Sequence, residues 1–232
     1  MKDWLTRIPI AHRGLHDNAA GIIENSLSAF SAAMAAGYAI ELDLRLSRDG
    51  EAMVFHDPAL ERLTEEKGAV ASHAAKRLTA LTLKGGTDRI PALPAVLDLV
   101  QGRVPLLLEL KAEEGPIGAL ETRVADLLAS YAGDVAIQSF NPEVIAWFRA
   151  HARPILRGLL ARNLRDLLTP PIFASQFIAY DVTALPAPGL SLARRMGLPV
   201  IAWTVKDERT WSIGAAHADN IIFEGIRPRI WP

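Results

Sequence analysis

The amino-acid sequence predicts an α/β fold of the TIM type, a single (β/α)8 barrel domain over residues 1–232 with a short insertion after the third strand. Short apolar runs alternate with helical patterns along almost the whole chain. Repeated βα units at this total length fit a closed barrel better than an open sheet. Half of the residues are apolar and 22% are charged, as in globular proteins with a full core.

Nine runs of four to eight residues qualify as strands, one more than the barrel needs. The sequence leaves open which run lies outside the barrel. The runs are Ile8–His12, Ile40–Leu44, Ala52–His56, Val104–Lys111, Val135–Phe140, Ile155–Leu159, Phe177–Val182, Pro199–Val205 and Asn220–Phe223.

Local signals predict how the first three runs are connected. A helix follows the first run, and either Asn25 or Ser26 can act as its N-cap. Asp49-Gly50 predicts a tight turn after the second run. Because so few residues separate the second and third runs, we expect an extended return there and not a helical crossover.

The predicted insertion spans about residues 58–103. It contains paired glycines and several prolines, which indicate a long loop with small helical pieces that covers the site. One helix is predicted near Ala95–Gln101 within it, and another follows the fourth run over about Ile117–Ala132.

Composition excludes several classes of protein. The formal net charge is −1 without a basic run, so we expect no nucleic-acid partner. The absence of cysteine excludes disulfide bonds and thiolate metal sites. The first residues have no apolar signal-peptide core, and no run is suited to span a bilayer. We therefore expect a cytoplasmic protein without a stable membrane anchor, while its oligomeric state stays open.

Two acids in the second run are the first sign of a functional site. Glu41 and Asp43 alternate with Ile40, Leu42 and Leu44. Residues two apart on a strand point the same way, roughly 6.5–7 Å apart, so the two carboxylates share one face. A buried parallel strand should be apolar on both faces, and paired acids there are costly unless a cation neutralises them.

Ionisable residues end the first four runs, and active sites of TIM barrels lie at the carboxyl ends of strands. Three carboxylates offer hard oxygen ligands to Mg²⁺ or Ca²⁺, and two cationic side chains suit a phosphate. Two histidines suit general acid–base chemistry near neutral pH. Together they predict a phosphodiester-cleaving site at one rim. The residues are His12 and Arg13, Glu41 and Asp43, His56, and Glu109 and Lys111.

Seven short motifs follow one another in a specific order, most densely between residues 10 and 60. They are His12-Arg13-Gly14, Glu24-Asn25-Ser26, Glu41-Leu42-Asp43, Asp49-Gly50, His56-Asp57, Glu109-Leu110-Lys111 and Trp203-Thr204-Val205. In order and spacing, this set resembles the glycerophosphodiester phosphodiesterase family over nearly the whole chain. Each motif alone is a weak signal, whereas the ordered set is specific.

The resemblance implies a metal-dependent enzyme of lipid and glycerol metabolism that hydrolyses small glycerophosphodiesters to glycerol 3-phosphate and an alcohol. It implies one divalent cation, Mg²⁺ or Ca²⁺. Related enzymes often use a neighbouring substrate hydroxyl as the first nucleophile and pass through a cyclic phosphate. The implied site residues are the metal ligands Glu41, Asp43 and Glu109, the catalytic pair His12 and His56, the phosphate-binding Arg13 and Lys111, and Trp203 in the substrate pocket.

Two departures from the family pattern lie at the rim. The last strand ends in Phe223-Glu224-Gly225, where the family commonly has Thr-Asp. Lys206-Asp207 follows the tryptophan strand, where an asparagine is common. We expect these changes to affect substrate preference and not to touch the metal or acid–base groups.

Structural explanations stay open for some of these residues. Arg13 and Lys111 could be salt-bridge partners of Glu41 and Glu109, and Trp203 could be a core residue. Glu24-Asn25 is expected to fix the loop-to-helix turn and not to contact substrate.

Two rival functions stay open as well. A lysophospholipase-D-like or cyclising phosphodiesterase acting on single-chain lipids would need an apolar rim surface, which the leucine-rich residues 78–83 could supply. A non-catalytic barrel that binds phosphate ligands would lack catalytic positions, whereas all of them are filled here. The leaving-group alcohol, the choice between Mg²⁺ and Ca²⁺, and hydrolysis versus cyclisation cannot be decided from the sequence.

Overall fold

The computed structural model describes residues 3–112, 116–167 and 174–229 of the chain. Its strands are β1 (Ile10–Ala11), β2 (Ala39–Leu46), β3 (Ala52–Val54), β4 (Leu106–Leu110), β5 (Val135–Ser139), β6 (Leu156–Ala161), β7 (Phe177–Asp181), β8 (Val200–Val205) and β9 (Asn220–Phe223). Eight of these strands are parallel and close into a ring, because β1 pairs with both β2 and β9. The predicted TIM-type barrel is confirmed.

The strand outside the ring is β3, which pairs antiparallel with β2. The tight turn at Asp49-Gly50 makes this return without a helix, as predicted. The prediction that His56 ends a strand of the parallel rim is therefore wrong, since β3 runs back from that rim. His56 still comes close to the site, because the backbone N–H of Phe55 donates to the carbonyl of Asp43 at 3.1 Å.

Helices cover the outside of the barrel and its insertion. In the described residues they are α1 (Trp4–Arg7), α2 (Leu27–Ala35), α3 (Ala75–Leu78), α4 (Leu93–Val100), α5 (Ala119–Leu128), α6 (Pro142–His151), α7 (Leu164–Leu167), α8 (Leu190–Arg195) and α9 (Glu208–His217). Ser26 is the N-cap of α2, because its hydroxyl accepts from the backbone N–H of Ala29 at 3.1 Å. None of these helices is long and apolar enough to cross a bilayer.

The chain between β3 and β4 forms a 3₁₀ turn at Val70–Ser72, followed by α3 and α4. α4, the helix predicted near residues 95–101, packs against α2 and so belongs to the outer helical layer. Leu78 and Leu83 are buried in a small separate core with Met53 and Phe55. The prediction that residues 78–83 could supply an apolar rim surface is therefore wrong, because the leucines are used in packing.

Apolar side chains fill the interior at the amino-terminal end of the barrel. Trp4 and Leu5 of α1 pack there with Leu107 and Phe177. Gly158 on β6 makes room for Phe177, since a Cβ atom at this position would lie 2.2 Å from the ring. Because this end is closed by apolar packing, polar side chains meet at the carboxyl ends of the strands.

Candidate active site

Three acidic side chains meet inside the barrel where β2 and β4 end. Asp43 and Glu109 are partners in the parallel register of these strands, and Glu41 lies two residues before Asp43 on the same face. One carboxylate oxygen from each of the three lies within 4.8 Å of the others, and all three residues are buried. The structure thus brings the three predicted metal ligands together.

Burial makes this cluster of acids unfavourable without added positive charge. Burial and the neighbouring charges of Asp43 and Glu109 raise the pKa of Glu41 well above its usual range. Burial also raises the pKa of Glu109 to about 7. Burial acts in the same direction on Asp43, but Lys111 and Arg13 hold its pKa well below the usual value. Glu41 and Glu109 therefore tend to keep their protons unless a cation replaces them.

The donor set fits a divalent cation with oxygen ligands. Within the described part of the chain, the Oε1 atom of Glu41 is buried and has no hydrogen-bond partner. A buried polar atom without a partner is costly, and a bound cation would satisfy it. Mg²⁺ and Ca²⁺ both take carboxylate oxygens, so these residues suit either ion.

Two cationic side chains lie against the acids. The Nζ atom of Lys111 is 3.0 Å from Oδ1 of Asp43 and also contacts Glu109. The Nε atom of Arg13 is 3.2 Å from Oδ2 of Asp43. The backbone N–H of Arg13 donates to Oε2 of Glu41 at 3.0 Å. Both cations are therefore placed beside the cluster, and the salt bridge between Lys111 and Glu109 is present.

The loop after β1 places Arg13 through an uncommon backbone conformation. The φ angles of Arg13 and Gly14 are 56° and 80°, in the left-handed region that favours glycine. A Cβ atom at Gly14 would lie 2.8 Å from the backbone carbon of Ala29 in α2. The glycine of the His12-Arg13-Gly14 motif is therefore required by the turn that directs the Arg13 N–H to Glu41.

His12 is held by residues that follow the last two strands. Its Nδ1 atom is 2.6 Å from Oε2 of Glu224, and Oε1 of Glu224 is 2.5 Å from Nζ of Lys206. The hydrogen bond from His12 holds the pKa of Glu224 well below its usual value. An ionised carboxylate only accepts hydrogen bonds, so Nδ1 of His12 donates. The expectation that the departures at 206 and 224 do not touch the acid–base groups is wrong, because Glu224 contacts His12 directly.

His56 has a comparable arrangement on the insertion side. Its Nδ1 atom is 2.6 Å from Oδ1 of Asp57. Arg62 binds Asp57 and donates to the two oxygens of Glu24 at 2.8 and 3.0 Å. Burial lowers the pKa of both His12 and His56, which favours the neutral form of both rings.

Trp203 lies on β8 with a partly buried side chain. Its ring meets Phe140 edge-on with the centroids 5.5 Å apart, and it packs against the apolar interior. The indole Nε1 is buried without a hydrogen-bond partner among the described residues. The contacts are those of a packing residue, and its contact with substrate stays a prediction.

Comparison with known proteins identifies the family of this chain. The model of the glycerophosphoryl diester phosphodiesterase family matches residues 12–223, a range that includes every predicted site residue. The chain belongs to this family. It is therefore an enzyme of the phosphodiesterase class.

One relative and two solved structures of the same fold each match nearly the whole length of this phosphodiesterase. A glycerophosphodiester phosphodiesterase of Caldanaerobacter subterraneus is 31% identical over 230 residues, covering 92% of each chain. A phosphodiesterase structure from Oleispira antarctica, in complex with the product sn-glycerol-3-phosphate, has a TM-score of 0.81 at 22% identity and covers 94% of this chain and 93% of its own. A glycerophosphodiester phosphodiesterase from Agrobacterium tumefaciens has a TM-score of 0.75 at 24% identity, covering 93% and 94%.

Several residues of the phosphodiesterase site escape prediction from the sequence. Asn25 donates from Nδ2 to Oδ2 of Asp43 at 2.8 Å, and Glu24 accepts from two arginines. The Glu24-Asn25 motif is visible in the sequence, but its assignment to the loop turn misses these contacts with the site. Arg62 carries no local signal. Gln138 is the register partner of Glu109 on β4 and is itself buried.

Proposed function

We propose that this phosphodiesterase hydrolyses glycerophosphodiesters to glycerol 3-phosphate and an alcohol, with one divalent cation, Mg²⁺ or Ca²⁺, on Glu41, Asp43 and Glu109. The proposal rests on the buried cluster of three acids, which has two cations and two carboxylate-bound histidines around it. The product found in the Oleispira antarctica structure, which shares this fold, supports the same class of substrate.

The charges at the cluster favour a divalent ion. Three carboxylates face the two cations Lys111 and Arg13, which leaves one negative charge. A phosphodiester brings one more negative charge, so a divalent cation neutralises the loaded site. Without that cation, protons on Glu41 and Glu109 reduce the repulsion, in agreement with their raised pKa values.

The phosphate is bound by the two cations at the rim. Lys111 and Arg13 present N–H donors beside the acids, and such charged donors suit the non-bridging oxygens of a phosphodiester. The Lys111 side chain is only 7% exposed and contacts two carboxylates, so its ammonium group is held in place. When bound, the divalent cation supplies positive charge that stabilises the charge developing on the phosphoryl oxygens.

The two histidines move the protons of the reaction. The Nδ1 atoms of His12 and His56 donate to carboxylates, so each Nε2 is left to exchange a proton with substrate. One histidine, with a neutral ring, takes the proton of the attacking hydroxyl or water at Nε2. The other, with a protonated ring, gives its Nε2 proton to the leaving alcohol as the bond to phosphorus breaks. Attack by a substrate hydroxyl gives a cyclic phosphate, which water then opens with the histidines in exchanged roles.

Single-chain lipids are not favoured as substrates. The leucines at 78–83 are largely buried, and among the described residues Leu192 on α8 is the large apolar side chain that is exposed. A lipid chain would leave most of its apolar surface in water on such a rim. Small water-soluble diesters fit the exposed polar rim better.

A panel of glycerophosphodiesters assayed with EDTA, Mg²⁺, Ca²⁺ and Mn²⁺ tests the proposal. We expect turnover with Mg²⁺ or Ca²⁺, loss of activity in EDTA, and no recovery on adding the ion back to Glu41→Gln, which keeps the shape but not the charge. Full activity in EDTA would remove the cation from the mechanism. Phosphorus-31 NMR should show glycerol 3-phosphate as the product, and a persistent cyclic phosphate would instead show a cyclising enzyme.

A further inference from the structure

His12 and His56 are each held by a carboxylate that is itself held by a cation. Both Nδ1 atoms lie 2.6 Å from a carboxylate oxygen. Arg62 contacts Asp57, the carboxylate bound to His56, and Lys206 contacts Glu224, the carboxylate bound to His12. The unit at His12 is built from residues after β8 and β9, at the two positions that depart from the family pattern.

Glu224 reaches two partners with its two oxygens. Oε2 is 2.6 Å from His12 and Oε1 is 2.5 Å from Lys206. The side chain of Glu224 is 22% exposed and that of Lys206 is 57% exposed, so the ammonium group approaches the carboxylate from the solvent side. A carboxylate bound at both oxygens cannot rotate freely, and its direction toward the imidazole is set.

We propose that Lys206 and Glu224 are a positioning pair that fixes His12 in the Nδ1-protonated form, with Nε2 on the ring edge that faces away from β9. This role depends on the proposed function, because the ring edge matters for turnover only if His12 exchanges protons with substrate. Lys206 acts through Glu224 and does not itself touch the substrate.

The other charged groups near His12 do not determine its tautomer. Arg13 disfavours the protonated ring and Asp43 favours it, but both act through space. Glu224 is hydrogen-bonded to Nδ1, and as an ionised acceptor it requires a proton on that atom. The neutral ring then carries its lone pair on Nε2, the form that can accept a proton from a nucleophile or, once protonated, donate one.

Nitrogen-15 NMR of the full chain labelled at histidine reads the tautomer without any turnover. The His12 signals are assigned by their loss in His12→Gln. We expect the neutral ring of the wild-type protein in the Nδ1–H form, and a fall of that population in Glu224→Gln, which keeps the size but not the charge. A neutral Nε2–H ring in the wild type would overturn the proposal.

Kinetics then test how Lys206 acts. Glu224→Gln should lower kcat for glycerophosphocholine by about 10–100-fold, the usual effect of removing an orienting partner, with KM nearly unchanged. In Glu224→Gln, the apparent pKa of the limb of the pH profile assigned to His12 should be lower by about one unit, because the carboxylate that favours the protonated ring is gone. In the wild-type background, Lys206→Met should lower kcat by less than Glu224→Gln does. In the Glu224→Gln background, the same substitution should have no further effect on kcat.

Arg227→Met is the matched control. Arg227 is exposed and lines the same cavity of about 450 Å³ as Lys206 and Glu224, and it should keep full activity. Equal losses in Lys206→Met and Arg227→Met would overturn the proposal, and so would a Lys206→Met loss that persists in the Glu224→Gln background. A wild-type chain that is inactive on every diester would refute the proposed function, whereas the NMR result still decides the positioning of His12.

Discussion

Replacing Glu109 with glutamine should change how the stability of the metal-free enzyme depends on pH. Burial raises the pKa of Glu109 from 4.5 to about 7. The folded chain therefore keeps a proton that the unfolded chain releases. The contribution of this group to stability is highest below the unfolded pKa and is lost as the pH rises through the folded pKa. The side chain is only 8% exposed, so solvent screens the effect little.

The expected size follows from the shift in pKa. A shift of about 2.5 units at about 1.36 kcal/mol per unit gives about 3 kcal/mol of destabilisation above neutral pH. For a chain of 232 residues, this corresponds to a change of about 6–12 °C in Tm. In EDTA, Glu109→Gln should unfold at a higher temperature than the wild type by this amount at about pH 8, and at nearly the same temperature at about pH 4, below the unfolded pKa.

Thermal unfolding followed by circular dichroism measures both chains across this pH range. Glu65→Gln is the control, because its carboxylate is 91% exposed and its curve should parallel the wild type. Adding Mg²⁺ or Ca²⁺ at a hundred times Kd should stabilise the wild type by about 2.7 kcal/mol and the variant by less. Parallel pH curves for the wild type and Glu109→Gln in EDTA would refute the reasoning that burial keeps a proton on this acid.

Four further substitutions test the site. Alanine at His12 or at His56 should lower kcat for glycerophosphocholine in saturating Mg²⁺ by about 10²–10⁴-fold, and near-full turnover in both would contradict the acid–base roles. Asn25→Ala removes the amide that binds Asp43 and should weaken cation affinity by about 10–100-fold in a calorimetric titration. Unchanged affinity would contradict a role of Asn25 in orienting Asp43 toward the cation. Arg62→Gln should lower kcat by about tenfold in steady-state assays and leave cation affinity unaltered, because Arg62 acts on His56 through Asp57. A loss of cation affinity would show that Arg62 acts on the metal site instead.

Features set by local periodicity could be predicted from the sequence. The alternation of Glu41 and Asp43 with leucines places both carboxylates on one face, because strand geometry repeats every two residues. The turn at Asp49-Gly50 predicts a return without a helix, because the turn signal is local and too few residues separate the two runs for a helix. The order of strands and helices is sufficient to predict the barrel, since repeated βα units of this length close in few ways.

The carboxylate partner of His12 was decided by the tertiary structure alone, whereas the partner of His56 is its neighbour in the sequence, Asp57. Glu224 is separated from His12 by 212 residues, and the two meet because β9 closes the barrel against β1. Arg62 reaches the site from the insertion, and the antiparallel direction of β3 brings His56 to the site. Local patterns encode the direction of a side chain but not its distant neighbours. Burial, which raises the pKa of the clustered acids and creates the need for a cation, arises only when the barrel closes.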